Sequence, residues 1–359
     1  MEDLSQVLRI RREKLEALAE RGIEPFAYNY DATHRTVAVA ASFEAAESEG
    51  RLSEDGDGEA AWLGGRIVSW RGHGKSAFAH LEDGDGSIQI YFKKDVLGDE
   101  SFADLDLIDL GDWIGVQGQP FRTRTGEITV RAESYTLLTK SLRPLPFGKV
   151  ETDAETGERT VHSGFSDQET RYRQRYADLA VHPEVREVFR TRSRIVSALR
   201  SFFDSEGFLE VETPVLQPLY GGASAKPFVT THHALDQTMY LRIADELYLK
   251  RLIVGGLDRV YEIAKDFRNE GLSRVHNPEF TMLEWYEAFA DYSDGAARLE
   301  ALVAHVAETV LGTTQIERDG ASIDLAPPWR RITLTDAIAE ATGLDLGARP
   351  SREELAAAV

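Results

Sequence analysis

The run RVYEIAKDFRNEGLSRVHNPEFTMLEWYEAF, residues 259–289, gathers side chains suited to holding an anionic substrate beside an aromatic surface. Arg268, Glu270, Arg274 and His276 fall in a polar stretch between two strand-like segments, which predicts a long hairpin loop. A guanidinium offers a planar fork that can bridge a carboxylate and a phosphate at once, which a lysine ammonium does less well. In the second segment, alternation places Phe280, Met282, Glu284 and Tyr286 on one face, so a carboxylate and a phenol share a surface with an aromatic platform. Each group has a plainer reading when taken singly. Phe280 and Tyr286 suit a core, His276 a turn, Gly221-Gly222 a turn, and Glu246 a helix N-terminus whose dipole it complements. Their occurrence together and in order favours a site.

A second stretch, RGHGKSAF at residues 71–78, resembles the tail of a phosphate-binding loop. Such a loop needs a glycine five residues before the Gly-Lys-Ser, and Ser69 stands there instead. A basic, glycine-rich turn with an aromatic tip suits another use. DGDG at Asp55 and Asp83 resembles the start of a calcium loop, but the twelfth positions, Arg66 and Lys94, lack the required carboxylate. Both read as turns.

The elements that must position these groups fall into two sets. Segments at 62–70, 77–83, 87–92, 112–123 and 127–138 alternate and are separated by turns, which predicts a small five-stranded barrel. Further on, Val185, Val188, Phe189, Val196, Leu199 and Phe203 recur at helical spacing, and FLEVETPVL follows Gly207 as a strand stopped by Pro214. Strands are predicted at FVTTHH, MYLRIA, RVYEIA and EFTMLEWYEAF, with a helix at ELYLKRLIVGG. Strands joined by short loops predict a mostly antiparallel sheet, unlike a doubly wound dinucleotide fold.

With 359 residues the chain is long enough for about two or three domains. Forty-one basic against sixty-one acidic residues give a formal charge of −20, which speaks against nucleic acid as a partner of the whole surface. Basic patches at residues 9–14, 140–149 and 171–175 still allow a local polyanion site. The chain has no cysteine, so disulfides, thiolate metal sites and cysteine nucleophiles are excluded. The N-terminal stretch is a charged amphipathic helix rather than a signal peptide, and no run reaches a membrane span, so a cytoplasmic location is expected.

DFRNEG…RVHNPEFTMLEWY resembles motif 2 of the class II aminoacyl-tRNA synthetases, and GFLEVETPVL resembles their motif 1. GGASAKPFVTTHHALDQTMYLRIADELYLKRLIVGGLDRVYEI is similar to the lysine-specific members of the aspartate/asparagine/lysine subgroup. The resemblance implies an α+β chain, with an N-terminal OB-fold barrel and then an incomplete class II domain whose mixed, mostly antiparallel sheet is flanked by helices. The expected division is a helical lead-in over 1–60, an OB-fold anticodon-binding domain over 61–139, a linker over 140–168 and the class II domain over 169–359.

The activity implied is ATP-dependent activation of L-lysine to lysyl-adenylate and its transfer to tRNA(Lys). By resemblance, Arg268 is catalytic and binds ATP, Glu270 receives the adenine amino group, Phe280 stacks on adenine and His276 lies near the outer phosphates. Glu246 holds the α-amino group of lysine, and Gly222, Glu284 and Tyr286 line its pocket. Phe78 is the stacking platform for an anticodon base, with Arg71 and Gln89 reading base edges, and Pro214 lies in a homodimer interface. The third motif, with the family's magnesium ligands, is not found before Val359, while SREELAAAV opens a helix with a Ser351–Glu354 capping box. A truncated lysine–tRNA ligase is therefore expected, with a non-catalytic tRNA-binding or regulatory paralogue as the alternative. A ligase acting on protein lysines fits less well, because such relatives lack the barrel.

Overall fold

The computed structural model describes residues 6–152, 159–162, 165–348 and 351–358. Packing divides the chain into two units, Met1–Val185 and Arg186–Val359.

In the first unit, α1 (Gln6–Glu20) and α2 (Thr36–Ser48) precede a closed barrel of β1 (Ala61–His73), β2 (Ser76–Glu82), β3 (Ser87–Lys93), β4 (Trp113–Arg122) and β5 (Ile128–Thr139). The strand order is β1-β2-β3-β5-β4, and only the β3–β5 pairing is parallel. Inward positions such as Leu63, Ile67, Ala79, Leu81, Ile90, Phe92, Val116 and Val130 fill the interior, as two-residue alternation requires. Two short helices, α3 (Lys94–Leu97) and α4 (Asp99–Asp104), connect β3 towards β4. The DGDG at Asp83 is a turn that also anchors a helix. The carboxylate of Asp83 accepts from the amides of Asp85 and Gly86 and from the amide and hydroxyl of Thr36, the first residue of α2. The predicted linker contains a hairpin of β6 (Lys149–Thr152) and β7 (Arg159–His162), followed by α5 (Gln168–Arg173) and α6 (Arg175–Val181).

The long helix α7 (Pro183–Ser205) opens at the division, and the second unit is built around β8 (Leu209–Glu210), β12 (Arg259–Phe267) and β13 (Glu279–Glu287). β12 and β13 are antiparallel in unbroken register, from Arg259 opposite Glu287 to Phe267 opposite Glu279. The predicted hairpin loop is therefore residues 268–278. Tyr261, Leu283 and Trp285 pack one face of this sheet against Phe202 and Phe203 of α7 and Leu302 of α9 (Tyr292–Leu311). That leaves the opposite face, carrying Glu262, Asp266 and Glu284, for the site. A second small sheet has the order β10-β11-β9, from β9 (Leu216–Gln217), β10 (Val229–His232) and β11 (Gln237–Leu241). Helix α8 (Glu246–Val254) follows it, and the unit closes with the hairpin β14 (Gln315–Arg318) and β15 (Ala321–Asp324), then α10 (Leu334–Thr342) and α11 (Arg352–Ala358). The Ser351–Glu354 capping box forms with reciprocal bonds of 2.7 and 3.3 Å.

FLEVETPVL is shorter as a strand than its sequence suggests. Only Leu209 and Glu210 pair with β12, in parallel. Thereafter the amide and hydroxyl of Thr213 donate to the carboxylate of Glu262, at 3.1 and 2.7 Å, instead of extending the ladder.

Candidate functional site

Arg268 leaves β12 at the mouth of the hairpin loop, and its guanidinium carbon lies 5.1 Å from the centre of the Phe280 ring. Among the described residues its Nε and Nη2 make only long contacts, 3.3 and 3.4 Å, to the carbonyl of Ile243, which leaves most of its donor fork open to a ligand. Glu284 is half-buried on the same strand face as Phe280, and its carboxylate accepts from the Tyr286 hydroxyl and the Asp245 amide, each at 3.4 Å. Glu246 begins α8 and is bonded to Lys250 at 2.6 Å, while Lys250 also lies 6.0 Å from the centre of the Tyr286 ring. Burial raises the Glu284 pKa, opposed by the Asp245 amide and increased again by the charge of Glu246. Burial and the Glu284 charge likewise raise that of Tyr286.

Gly222 closes one side. Its φ is +89°, and a Cβ there would stand 2.9 Å from Cβ of Glu246 and 3.1 Å from Cβ of Ala244. Glycine therefore serves here both for its backbone conformation and for close approach. Glu246 at the start of α8 thus adjoins Glu284 and Tyr286 on β13, which also carries Phe280, with Gly222 packed in a loop against Glu246 and Arg268 just past the end of β12. Glu270 and His276 sit on the exposed loop. Glu270 accepts from the amide of Lys226 at 3.4 Å, and His276 Nδ1 shares a proton with the Ser273 hydroxyl at 2.8 Å. Pro214 is exposed, and its carbonyl accepts from the Gln217 amide side chain.

Beneath these groups lies a set of charges absent from the sequence-based list. Arg242, 4% exposed, donates to Glu262 at 2.7 Å and to the carbonyls of Lys265 and Thr213 at 2.9 and 3.1 Å. It also faces Asp245 at 3.1 Å and Asp266 at 3.4 Å, both fully buried. Desolvation, reinforced by the nearby Asp266, pushes Asp245 up to about 8 despite Arg242. Desolvation pushes Asp266 to about 6, with Arg242 opposing and Glu284 adding to the rise. Alternation along β12 sets Glu262 and Asp266 on the Glu284 side, but nothing local in the sequence reveals that Arg242 meets them.

The raised acids carry a pH consequence. The folded unit holds the Asp245 proton more tightly than the unfolded chain, so this contribution to stability is complete below about pH 4 and is lost as pH rises through about 8. Asp245→Asn cannot ionise. In chelator-containing buffer it should reduce the loss of unfolding free energy between pH 5 and 8.5 by at least ~1.4 kcal/mol, one pKa unit's worth. Urea titrations at the two pH values measure this. The ionisable neighbours that share the response are Arg242, Glu262, Asp266, Glu284 and Arg268.

On the barrel, the three expected residues share one outer face. Cross-strand register runs Arg71, Phe78, Tyr91, Arg131, and the next row runs Ser69, His80, Gln89, Thr129. Phe78 stacks on Tyr91 at 4.7 Å, Tyr91 contacts Phe121 at 6.2 Å, and Arg131 lies 5.1 Å from the Phe121 centroid. Gln89 is 5% exposed, donating to Glu127 at 2.8 Å and accepting from Thr129 at 2.9 Å, while His80 bonds Glu127 at 3.0 Å. Gln89 could therefore read a base only by exchanging one of these partners. The alternation of SIQIYF already pairs Tyr91 with Gln89, whereas Phe121, Glu127 and Arg131 arrive from strands distant in sequence.

Residues 167–354 match the family described as tRNA synthetases class II (D, K and N). The chain belongs to that family. Residues 61–138 match the OB-fold nucleic acid binding domain, which coincides with the closed barrel. Similar proteins include the lysine–tRNA ligases of Pelotomaculum thermopropionicum (52% identical over 358 residues), Bacillus subtilis (48% over 344) and Carboxydothermus hydrogenoformans (49% over 344). These alignments cover 100%, 96% and 96% of the chain and 66% of each relative, so the chain spans about two thirds of the length of the ligases it matches. Within the matched residues, Arg268 and Phe280 lie on the strand–loop–strand of β12 and β13. Among the described residues, no helix is long and apolar enough to cross a membrane.

Proposed function

We propose that the chain serves in lysine–tRNA ligation, the ATP-dependent activation of L-lysine and its transfer to tRNA(Lys). The observation that carries this reading is the acidic floor of Glu246, Glu284 and Tyr286 beside the open donor fork of Arg268. Activation brings the lysine carboxylate against the α-phosphate of ATP, two anions that repel until a cation bridges them. Arg268 supplies that bridge, orienting both for in-line attack and stabilising charge as it develops. Phe280 offers its ring to adenine, Glu270 accepts from the adenine amino group, and His276 on the loop lies towards the outer phosphates.

The amino acid brings two ammonium groups, which need anionic or hydrogen-bonding partners once out of water. Glu246 would release Lys250 to accept the α-ammonium, Gly222 leaves room beside it, and Glu284 with Tyr286 lines the remainder of the pocket. An aspartyl side chain would meet like charge at the same floor, which favours lysine. Magnesium, when bound with ATP, would neutralise phosphate charge. The carboxylates gathered here lie with the amino-acid subsite and not with the nucleotide's phosphates.

The barrel would take the anticodon. Phe78, stacked on Tyr91, is the base platform, with Arg71 and Gln89 at the base edges. A homodimer in the cytoplasm, joined through the segment around Pro214, fits the exposed Val215, Leu216, Leu219 and Tyr220 near it. Phe78→Ala tests the division of labour. It should weaken tRNA(Lys) binding by ~1 to 3 kcal/mol, the contribution of one stacked base, and leave ATP affinity unchanged in filter binding and calorimetry. Equal loss of both would overturn the assignment of the anticodon to the barrel.

A further inference from the structure

We propose that Asp245, Asp266 and Glu284 form a site for one hard divalent cation of the magnesium or manganese class. One oxygen from each carboxylate comes within 4.8 Å of the other two. Oxygen-only donors of this kind suit hard cations and give nothing to soft ones.

Buried oxygens without hydrogen bonds distinguish this trio from an ordinary acidic patch. Asp245 and Asp266 are fully buried, and none of their four carboxylate oxygens receives a hydrogen bond among the described residues. A buried carboxylate without donors is costly, so native interiors rarely leave one. For Asp245 this extends to the helix end: it holds the N-cap position of α8, where an aspartate would ordinarily accept from the first helical amides, yet its side chain makes no capping bond. Its carboxylate turns inward towards Asp266 and Glu284 instead.

Arg242 satisfies the cluster only in part. Its Nη1 is bonded to Glu262 and its Nε to the carbonyl of Lys265, and it meets Asp245 and Asp266 as ion pairs at 3.1 and 3.4 Å. With Glu262 included, three carboxylates face this guanidinium, and Arg268 is the further cation bearing on Asp266 and Glu284. A divalent ion would correct that imbalance. Its three ligands come from the start of α8, the end of β12 and the middle of β13, so it would tie together the elements that carry the amino-acid subsite. Glu284 is shared with the proposed lysine pocket, so the site is tested in the absence of amino acid and nucleotide.

The test uses the 359-residue chain at pH 7.5 with manganese alone, without nucleotide, lysine or tRNA. Counting free Mn2+ by its paramagnetic resonance signal should show one tightly bound ion per chain. Bound manganese should broaden the ring resonances of Tyr286, whose hydroxyl contacts Glu284, beyond those of other tyrosines. Glu284→Gln should weaken the tight site at least ~10-fold, and the double variant Asp245→Asn, Asp266→Asn should lose it, with circular dichroism confirming the fold. No stoichiometric manganese, or binding unchanged by these substitutions and without selective broadening at Tyr286, would overturn the proposal and show that the pair is held by protons.

Discussion

Arg242→Ala should destabilise the second unit by ~3–5 kcal/mol at pH 7.5, the cost of leaving buried charge without its partner. The expected effect is large because one side chain serves several acids. Arg242 bonds Glu262 at 2.7 Å and faces Asp245 and Asp266 at 3.1 and 3.4 Å, and each of the four residues is less than 5% exposed. Removing the guanidinium also frees the carbonyls of Lys265 and Thr213, both of which it now satisfies. The remaining carboxylates must then take up protons or water, so the loss should shrink at pH 5, where Asp266 and Asp245, at about 6 and about 8, are largely protonated. Urea unfolding followed by near-ultraviolet circular dichroism reads the second unit through Trp285, which packs on Phe203. A loss under ~1 kcal/mol, the range of an exposed ion pair, would show that the cluster is solvated and that Arg242 is incidental.

Arg268→Ala should lower affinity for a non-hydrolysable lysyl-adenylate analogue by ~1.5 to 3 kcal/mol, the value of hydrogen bonds to a charged group, while costing much less stability than Arg242→Ala. The small stability effect follows from its long contacts to the Ile243 carbonyl, which contribute little in the absence of ligand. Arg268→Lys should restore only part of the affinity, because an ammonium cannot span carboxylate and phosphate in one plane. Calorimetric titration of the three proteins separates these outcomes. Full rescue by lysine would mean that charge alone is needed, and an unaffected alanine variant would remove Arg268 from the site.

How far the sequence discloses this arrangement depends on the range of the interactions involved. The barrel strands are legible because alternation is local: the pattern of Ser87–Lys93, with Ile88, Ile90 and Phe92 buried, needs no knowledge of a partner strand. The hairpin loop is legible for the same reason, since two strand-like runs flank a polar stretch and pair in register. Helix α9 carries a capping box at Asp291–Asp294, another local signal present in the sequence. What is not legible is long-range. Thr213 reaches across 49 residues to Glu262, which ends β8 early, and Arg242 meets acids twenty or more positions away. The same limit hides Glu127 behind Gln89 on the barrel, 38 residues away, where no short-range pattern could have paired them. The direct site residues Arg268, Glu284 and Tyr286 carry their chemistry in their own types, whereas the charges beneath them acquire meaning only through the fold.

The acidic floor is the central claim, and selectivity between amino acids tests it most directly. The measurement is calorimetric titration of the 359-residue chain with matched sulfamoyl analogues of lysyl- and aspartyl-adenylate, alongside Glu284→Gln. The lysyl analogue should bind at least ~10-fold tighter than the aspartyl one, a difference of ~1.4 kcal/mol, and Glu284→Gln should narrow that gap. Equal affinity for the two, or a gap untouched by the substitution, would contradict the assignment of Glu246, Glu284 and Tyr286 to a lysine site.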